Sequence, residues 1–208
     1  LDDQLTLKYL EGGELTEAER RAGIRKGCID LKLFPVLCGS AYKHKGVQPV
    51  LDAIVDFLPS PMDVPPVVGH TPRGEEEKRE TRDDAPFSAL AFKLMTDQFA
   101  DRLTFIRVYS GKLEAGTYCY NSVKGKRERV SRLVQMRADK RAEIDECYAG
   151  DICAVLGMKL ATTGDTLCAE NKPIILERME FPDPVIDLAL EPKSQADQEK
   201  LGVALQKL

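Results

Sequence analysis

The sequence predicts a multidomain chain, α/β at its start and all-β through its middle, with an α+β unit opening at its end. Three observations carry that prediction. A short apolar run, a polar loop and an amphipathic segment follow one another between residues 33 and 58. Short apolar segments separated by glycines fill residues 86–178. A stretch rich in proline and charge lies between the two.

Taking the elements in order, Thr16 and Glu19 stand at capping-box spacing. There the threonine hydroxyl accepts the third helical N–H and the glutamate reaches back to the cap. A helix is therefore expected over residues 17–26, with Gly27 as its stop, because glycine adopts a left-handed backbone at low cost. Residues 33–38 have the length and apolarity of a buried parallel strand, although Pro35 lacks the N–H that a central strand uses. The polar loop 39–46 follows. Val47, Val50, Leu51, Ile54, Val55 and Leu58 then share one helical face, which Pro59 and Pro61 terminate. Strand, loop and helix in this order form the closing unit of an α/β sheet.

Residues 63–85 change character. Pro65, Pro66 and Pro72 precede Glu75-Glu76-Glu77-Lys78-Arg79-Glu80, a composition of a linker or exposed ribbon. Candidate strands then lie at 87–95, 103–109, 117–120, 129–136, 144–147 and 152–156, with Gly111, Gly116, Gly150 and Gly164 in the turns. Short strands at this spacing predict a small closed barrel. Residues 185–190 read as a strand, and Ser194 with Asp197 caps a helix bearing Leu201, Ala204, Leu205 and Leu208. One strand and one helix cannot bury their own faces, so a third domain is expected to begin there. The expected boundaries are 1–62, 63–85, 86–180 and 181–208.

With 208 residues, 43% of them hydrophobic and 31% charged, a core of ordinary size can form. The net charge of −4 averages over segments of opposite sign and selects no partner. The six cysteines form no C-x-x-C pair and there are two histidines, so no metal site is expected. No leader and no run long enough for a bilayer is present, which favours free thiols in a reducing cytosol and no membrane partner. Both ends, beginning at Leu1, read as internal to a longer chain.

Several stretches resemble elongation factor G, in that family's own order. Cys38-Gly39-Ser40-Ala41-Tyr42-Lys43-His44-Lys45-Gly46-Val47-Gln48 is similar to its last guanine-binding loop and the start of the next helix. Pro86-Phe87-Ser88-Ala89-Leu90-Ala91-Phe92-Lys93 resembles the start of its second domain. Arg107-Val108-Tyr109-Ser110-Gly111 and Thr163-Gly164-Asp165-Thr166-Leu167 resemble its turns. Residues 174–184, Glu191-Pro192-Lys193 and Asp197-Gln198-Glu199-Lys200 resemble its entry to domain three. The resemblance implies a parent with a P-loop GTPase α/β domain, a translation-factor β-barrel and three further domains. Residues 1–30 would belong to an insertion within the GTPase domain.

By that resemblance the backbone N–H groups of Ser40 and Ala41 face the guanine O6, the serine hydroxyl steadies the loop, and Tyr42 flanks the base. An N–H aimed at O6 accepts guanine and meets the amino donor of adenine badly. Read locally, Gly39-Ser40-Ala41 is also a tight strand-to-helix turn. The phosphate end is missing: no G-x-x-x-x-G-K-[ST] occurs, and no D-x-x-G stretch suits the γ-phosphate and Mg²⁺. Asn171-Lys172-Pro173-Ile174 imitates the base-reading N-K-x-D but lacks its aspartate and lies beyond the barrel. The implied parent uses GTP or GDP with Mg²⁺, whereas this chain alone is expected to bind neither and to hydrolyse no GTP. No catalytic residue is assigned.

Between residues 124 and 141 eight cations face two acids, a local charge of about +6 in an acidic chain. Such a stripe suits phosphates, or simply a solvated barrel face. The resemblance implies contact with small-subunit ribosomal RNA, assigned to Lys126, Arg127, Arg129 and Arg132, with no DNA partner. His44 and His70 read as solvated loop residues, and Cys153 as packed in its strand. The alternatives are a ribosome-protection or release-type translational GTPase, or a stand-alone RNA-binding barrel.

Overall fold

The computed structural model describes residues 3–95, 102–138, 140–176 and 183–207. Residues 177–182 of the stretch 174–184, Asp139 of the basic run and Leu208 of the last helix lie outside these. The chain divides into two compact units, Leu1–Arg178 and Met179–Leu208.

The first unit begins with three helices, α1 (Asp3–Leu10), α2 (Glu17–Ile29) and α3 (Val47–Phe57). The capping box forms as its spacing requires, with Thr16 Oγ1 accepting from Glu19 N at 3.3 Å and Glu19 Oε2 accepting from Thr16 N at 2.8 Å. Gly27 does not stop α2. The helix runs on to Ile29, and the left-handed residue is Leu31, at φ 54°. Lys32 N donates to Gly27 O at 2.9 Å and Leu31 N to Cys28 O at 3.1 Å, the paired closing bonds of a Schellman stop. Arg25 ties α2 to the end of α3 through the carbonyls of Asp56 and Leu58 and the carboxylate of Asp63.

Residues 33–38 form no strand. Among the described residues no strand lies beside them, Phe34 is 74% exposed and Val36 89% exposed. An apolar run becomes a buried strand only where neighbouring strands accept its backbone bonds. Residues 185–190 likewise form no strand and stay exposed, and α4 (Gln195–Lys207) follows them.

The sequence reading passed over a hairpin within 63–85, made of β1 (Val67–His70) and β2 (Glu76–Arg79). With β13 (Ile175–Leu176) it makes a three-stranded sheet. The remaining strands are β3 (Ser88–Met95), β4 (Leu103–Ser110), β5 (Leu113–Glu114), β6 (Tyr118–Asn121), β7 (Lys126–Arg129), β8 (Arg132–Arg137), β9 (Lys140–Ile144), β10 (Glu146–Cys147), β11 (Ile152–Leu156) and β12 (Thr166–Cys168). Eight of them form one antiparallel sheet in the order β7-β6-β12-β3-β4-β11-β8-β9, while β5 pairs with β10.

The expected strand 129–136 is two strands, because its backbone changes partners midway. Val130 bonds Thr117 and Gly116 beside β6, and Ser131 N donates to Leu156 O on β11. A flat sheet would hold β7 and β8 about 29 Å apart, six strand spacings. Three residue steps reach at most about 11 Å, so the sheet must curl into a barrel. Irregular register between β3 and β4 helps it curve. Ala89, Ala91, Ile106, Val108, Leu133, Cys153, Val155 and Leu167 are among the buried residues filling its core.

Candidate functional site

Two regions carry the predicted site residues. In the first, Ser40 and Lys45 pair across a tight turn, with Ser40 N donating to Lys45 O at 2.9 Å and Lys45 N to Ser40 O at 3.0 Å. His44 N donates to Ala41 O at 3.1 Å, and Lys43 N reaches the Ser40 hydroxyl at 3.4 Å. A side chain at Gly39 would meet Lys45 O at 2.9 Å, so the turn closes only over glycine. His44 is left-handed at φ 51°, and Gly46, at φ 76°, leads into α3.

The turn brings Ser40, Ala41 and Tyr42 together and divides their roles. The Ser40 N–H is already spent on Lys45, so it offers nothing to a ligand. Among the described residues no backbone acceptor receives the Ala41 N–H, which leaves it open to an external acceptor. Tyr42 is 94% exposed beside it.

The second region is the outer face of the β6–β7 hairpin. Residues directly opposite in an antiparallel pair project to the same side. Arg129 stands opposite Tyr118 and Arg127 opposite Tyr120, while Glu128 stands opposite buried Cys119. Glu128 is 4% exposed and accepts the N–H groups of Lys159 at 2.9 Å and Leu160 at 3.1 Å. It therefore closes a turn inside the barrel and does not neutralise the outer face. Burial is the main cause that pushes the Cys119 thiol up to about 12, with the Glu128 charge adding to it.

The cations on this face differ. Arg127 pairs with Glu170, and Arg132, on β8, pairs with Glu143 at 3.0 Å. Arg129 is exposed and has no carboxylate within ion-pair reach among the described residues; Lys126 is likewise exposed and without one, but stands opposite buried Asn121, on the side of the strand that Glu128 uses, at the turn end of the hairpin. Lys124, the first of the basic run, turns inward to Asp165 at 3.3 Å. Asp165 in turn accepts from Asn121 at 2.8 Å and from the Thr162 N–H at 2.9 Å, so Thr163-Gly164-Asp165 form a turn held from within, and Thr166-Leu167 begin β12.

Sequence reading missed Tyr118 and Tyr120. Their alternation with Cys119, mirrored by Arg127 and Arg129 across the Gly125 turn, was the signal available. His70 ends β1 and is exposed, and Cys153 is buried on β11. Among the described residues no helix is long and apolar enough to cross a membrane.

Comparison with known proteins bears on the barrel directly. Residues 86–170 match the family described as elongation factor G domain 2. The whole chain is also similar to a crystal structure of a protein from Thermus thermophilus, at 28% identity and a TM-score of 0.74. That match covers 99% of this chain and 29% of the other, so the chain spans less than a third of its length.

Proposed function

We propose, from the match of residues 86–170 to the family described as elongation factor G domain 2, that the chain serves a translation factor that moves tRNA and mRNA through the ribosome at the expense of GTP. In this reading the barrel docks on small-subunit ribosomal RNA through Lys126, Arg127, Arg129 and Arg132. The observation that carries it is the cationic outer face of β7, where Arg129 stands exposed beside Arg127 without an acidic partner among the described residues, with Lys126 exposed at the turn end of the same strand. Unpaired cations are the ones that exchange condensed counterions for phosphate contacts.

The turn at Ser40, Ala41 and Tyr42 supplies the edge of a guanine site, with the Ala41 N–H as the group that meets O6. GTP or GDP and its Mg²⁺ belong to the complete parent, and residues that surround the phosphates are not among those of this chain. Hydrolysis is therefore not a property of these residues by themselves. The division of labour follows the segments: 1–62 for the nucleotide domain, 63–85 as connector, 86–180 as docking barrel and 181–208 as the entry to the next domain. Its place of work is the cytoplasm, where ribosomes are.

The test is reversal of charge. Arg129→Glu with Arg132→Glu should weaken association with purified small subunits by about tenfold or more at moderate salt. Both residues are exposed, so circular dichroism should be unchanged. Association equal to that of the unaltered chain rejects this face as the docking surface.

A further inference from the structure

The outer face of the β6–β7 hairpin holds aromatic as well as cationic groups. Tyr118 is 64% exposed and lies directly across from Arg129. Opposed positions place Cβ atoms about 5 Å apart, so the phenol ring and the guanidinium start from one spot on the surface. The next pair inward is more occupied: Tyr120 is half-buried and Arg127 is held by Glu170. Tyr118 and Arg129 are thus the pair on this hairpin with both groups available.

We propose that Tyr118 and Arg129 form a stacking site for one unpaired nucleotide of RNA. This rests on the docking role proposed above for the same face and adds to it the kind of RNA that is recognised. A ring standing free of the surface can stack on a base only where that base has left its own stack. In an A-form duplex the bases are stacked inside and the deep groove excludes side chains, leaving phosphates and 2′-hydroxyls to be touched. A cationic strand alone would serve for a duplex; an exposed ring beside the cation is what a single strand uses. Tyr118 lies on the base, and Arg129 takes the phosphate of the same nucleotide. Glu128, turned inward to Lys159 and Leu160, leaves that phosphate unopposed.

The experiment measures binding of the full 208-residue chain to a labelled single-stranded uridine octamer and to the same octamer annealed to its complement, by fluorescence anisotropy at low salt. The single strand should bind more tightly than the duplex. Tyr118→Ala should bind the single strand about tenfold more weakly, the loss of one stacked base. Tyr118→Phe, which keeps the ring, should stay within about twofold of the unaltered chain, and Arg129→Gln should weaken binding. Duplex bound as well as single strand, or Tyr118→Ala binding unchanged, overturns the stacking site. So does Tyr118→Phe losing as much as Tyr118→Ala, since the hydroxyl would then be the contact. If Arg129→Glu with Arg132→Glu still weakens small-subunit association in that case, the docking face stands and only the stacking is rejected. If neither RNA binds and the charge-reversed chain associates normally, both readings fall.

Discussion

Glu19 shows how much one side chain can hold. Its carboxylate accepts two bonds from Lys8, at 2.7 and 2.9 Å, and one from the Thr16 N–H at 2.8 Å. These bonds, the Lys8 one foremost, pull its pKa from 4.5 down to about 2. A carboxyl with a lower pKa folded than unfolded stabilises the fold above its unfolded value, and that contribution is lost as pH falls through the folded one. Helix α2 should therefore loosen between about pH 4.5 and pH 2, read from the amide resonances of residues 17–20. Glu19→Gln should flatten that transition; an unchanged one would mean that other carboxyls hold the helix. The capping box was legible in the sequence because its two residues are three apart. The helix stop was not: Leu31, not Gly27, takes the left-handed backbone, and only the closing bonds back to Gly27 and Cys28 reveal it.

At the scale of elements, legibility followed the range of the interactions. The strand at 152–156 came out as read, since β4 pairs along its whole length and β8 along Ala154, Val155 and Leu156. The reading of 129–136 as one strand failed because the change of partner at Val130 and Ser131 is a property of the closed sheet. For the same reason Tyr118 went unnoticed: its importance comes from Arg129 across the hairpin. Residues 33–38 show the converse, an apolar pattern without neighbours to make it a strand. Of the stretch Arg107-Val108-Tyr109-Ser110-Gly111, read as a turn, the first four residues are the end of β4 and Gly111 alone makes the turn. Gly111, at φ 69°, lies against the incoming chain, so a side chain there would meet Ala85 O and Phe87 Cα at 2.6 Å. Ser110 donates to Pro86 O at 2.7 Å on the same approach. Gly111→Ala combines a disfavoured backbone with a clash against main chain, and should cost about 2 kcal/mol or more. A urea midpoint equal to that of the unaltered chain would show that the turn yields at no cost.

For the molecule as a whole, composition and function point in opposite directions until charge is resolved in space. The chain is acidic, at −4, yet the outer face of β7 is cationic because Glu128 is drawn into the barrel. The barrel was the most legible part, and residues 86–170 match elongation factor G domain 2. The proposed guanine loop rests on the resemblance of its flanks. In that proposal the Ala41 N–H is the group that remains to meet a base, because Ser40 N is committed to Lys45.

The measurement that bears most directly on the docking role is the salt dependence of the chain's equilibrium binding to purified small ribosomal subunits. Each phosphate contact contributes a slope of about 0.7 to 0.9 in log K against log salt. Lys126 and Arg129 with the paired Arg127 and Arg132 predict a falling line of slope about 2 to 4, made shallower by about one contact in Arg129→Gln. No binding at low salt, or binding indifferent to salt and to Arg129, would contradict RNA docking through this face.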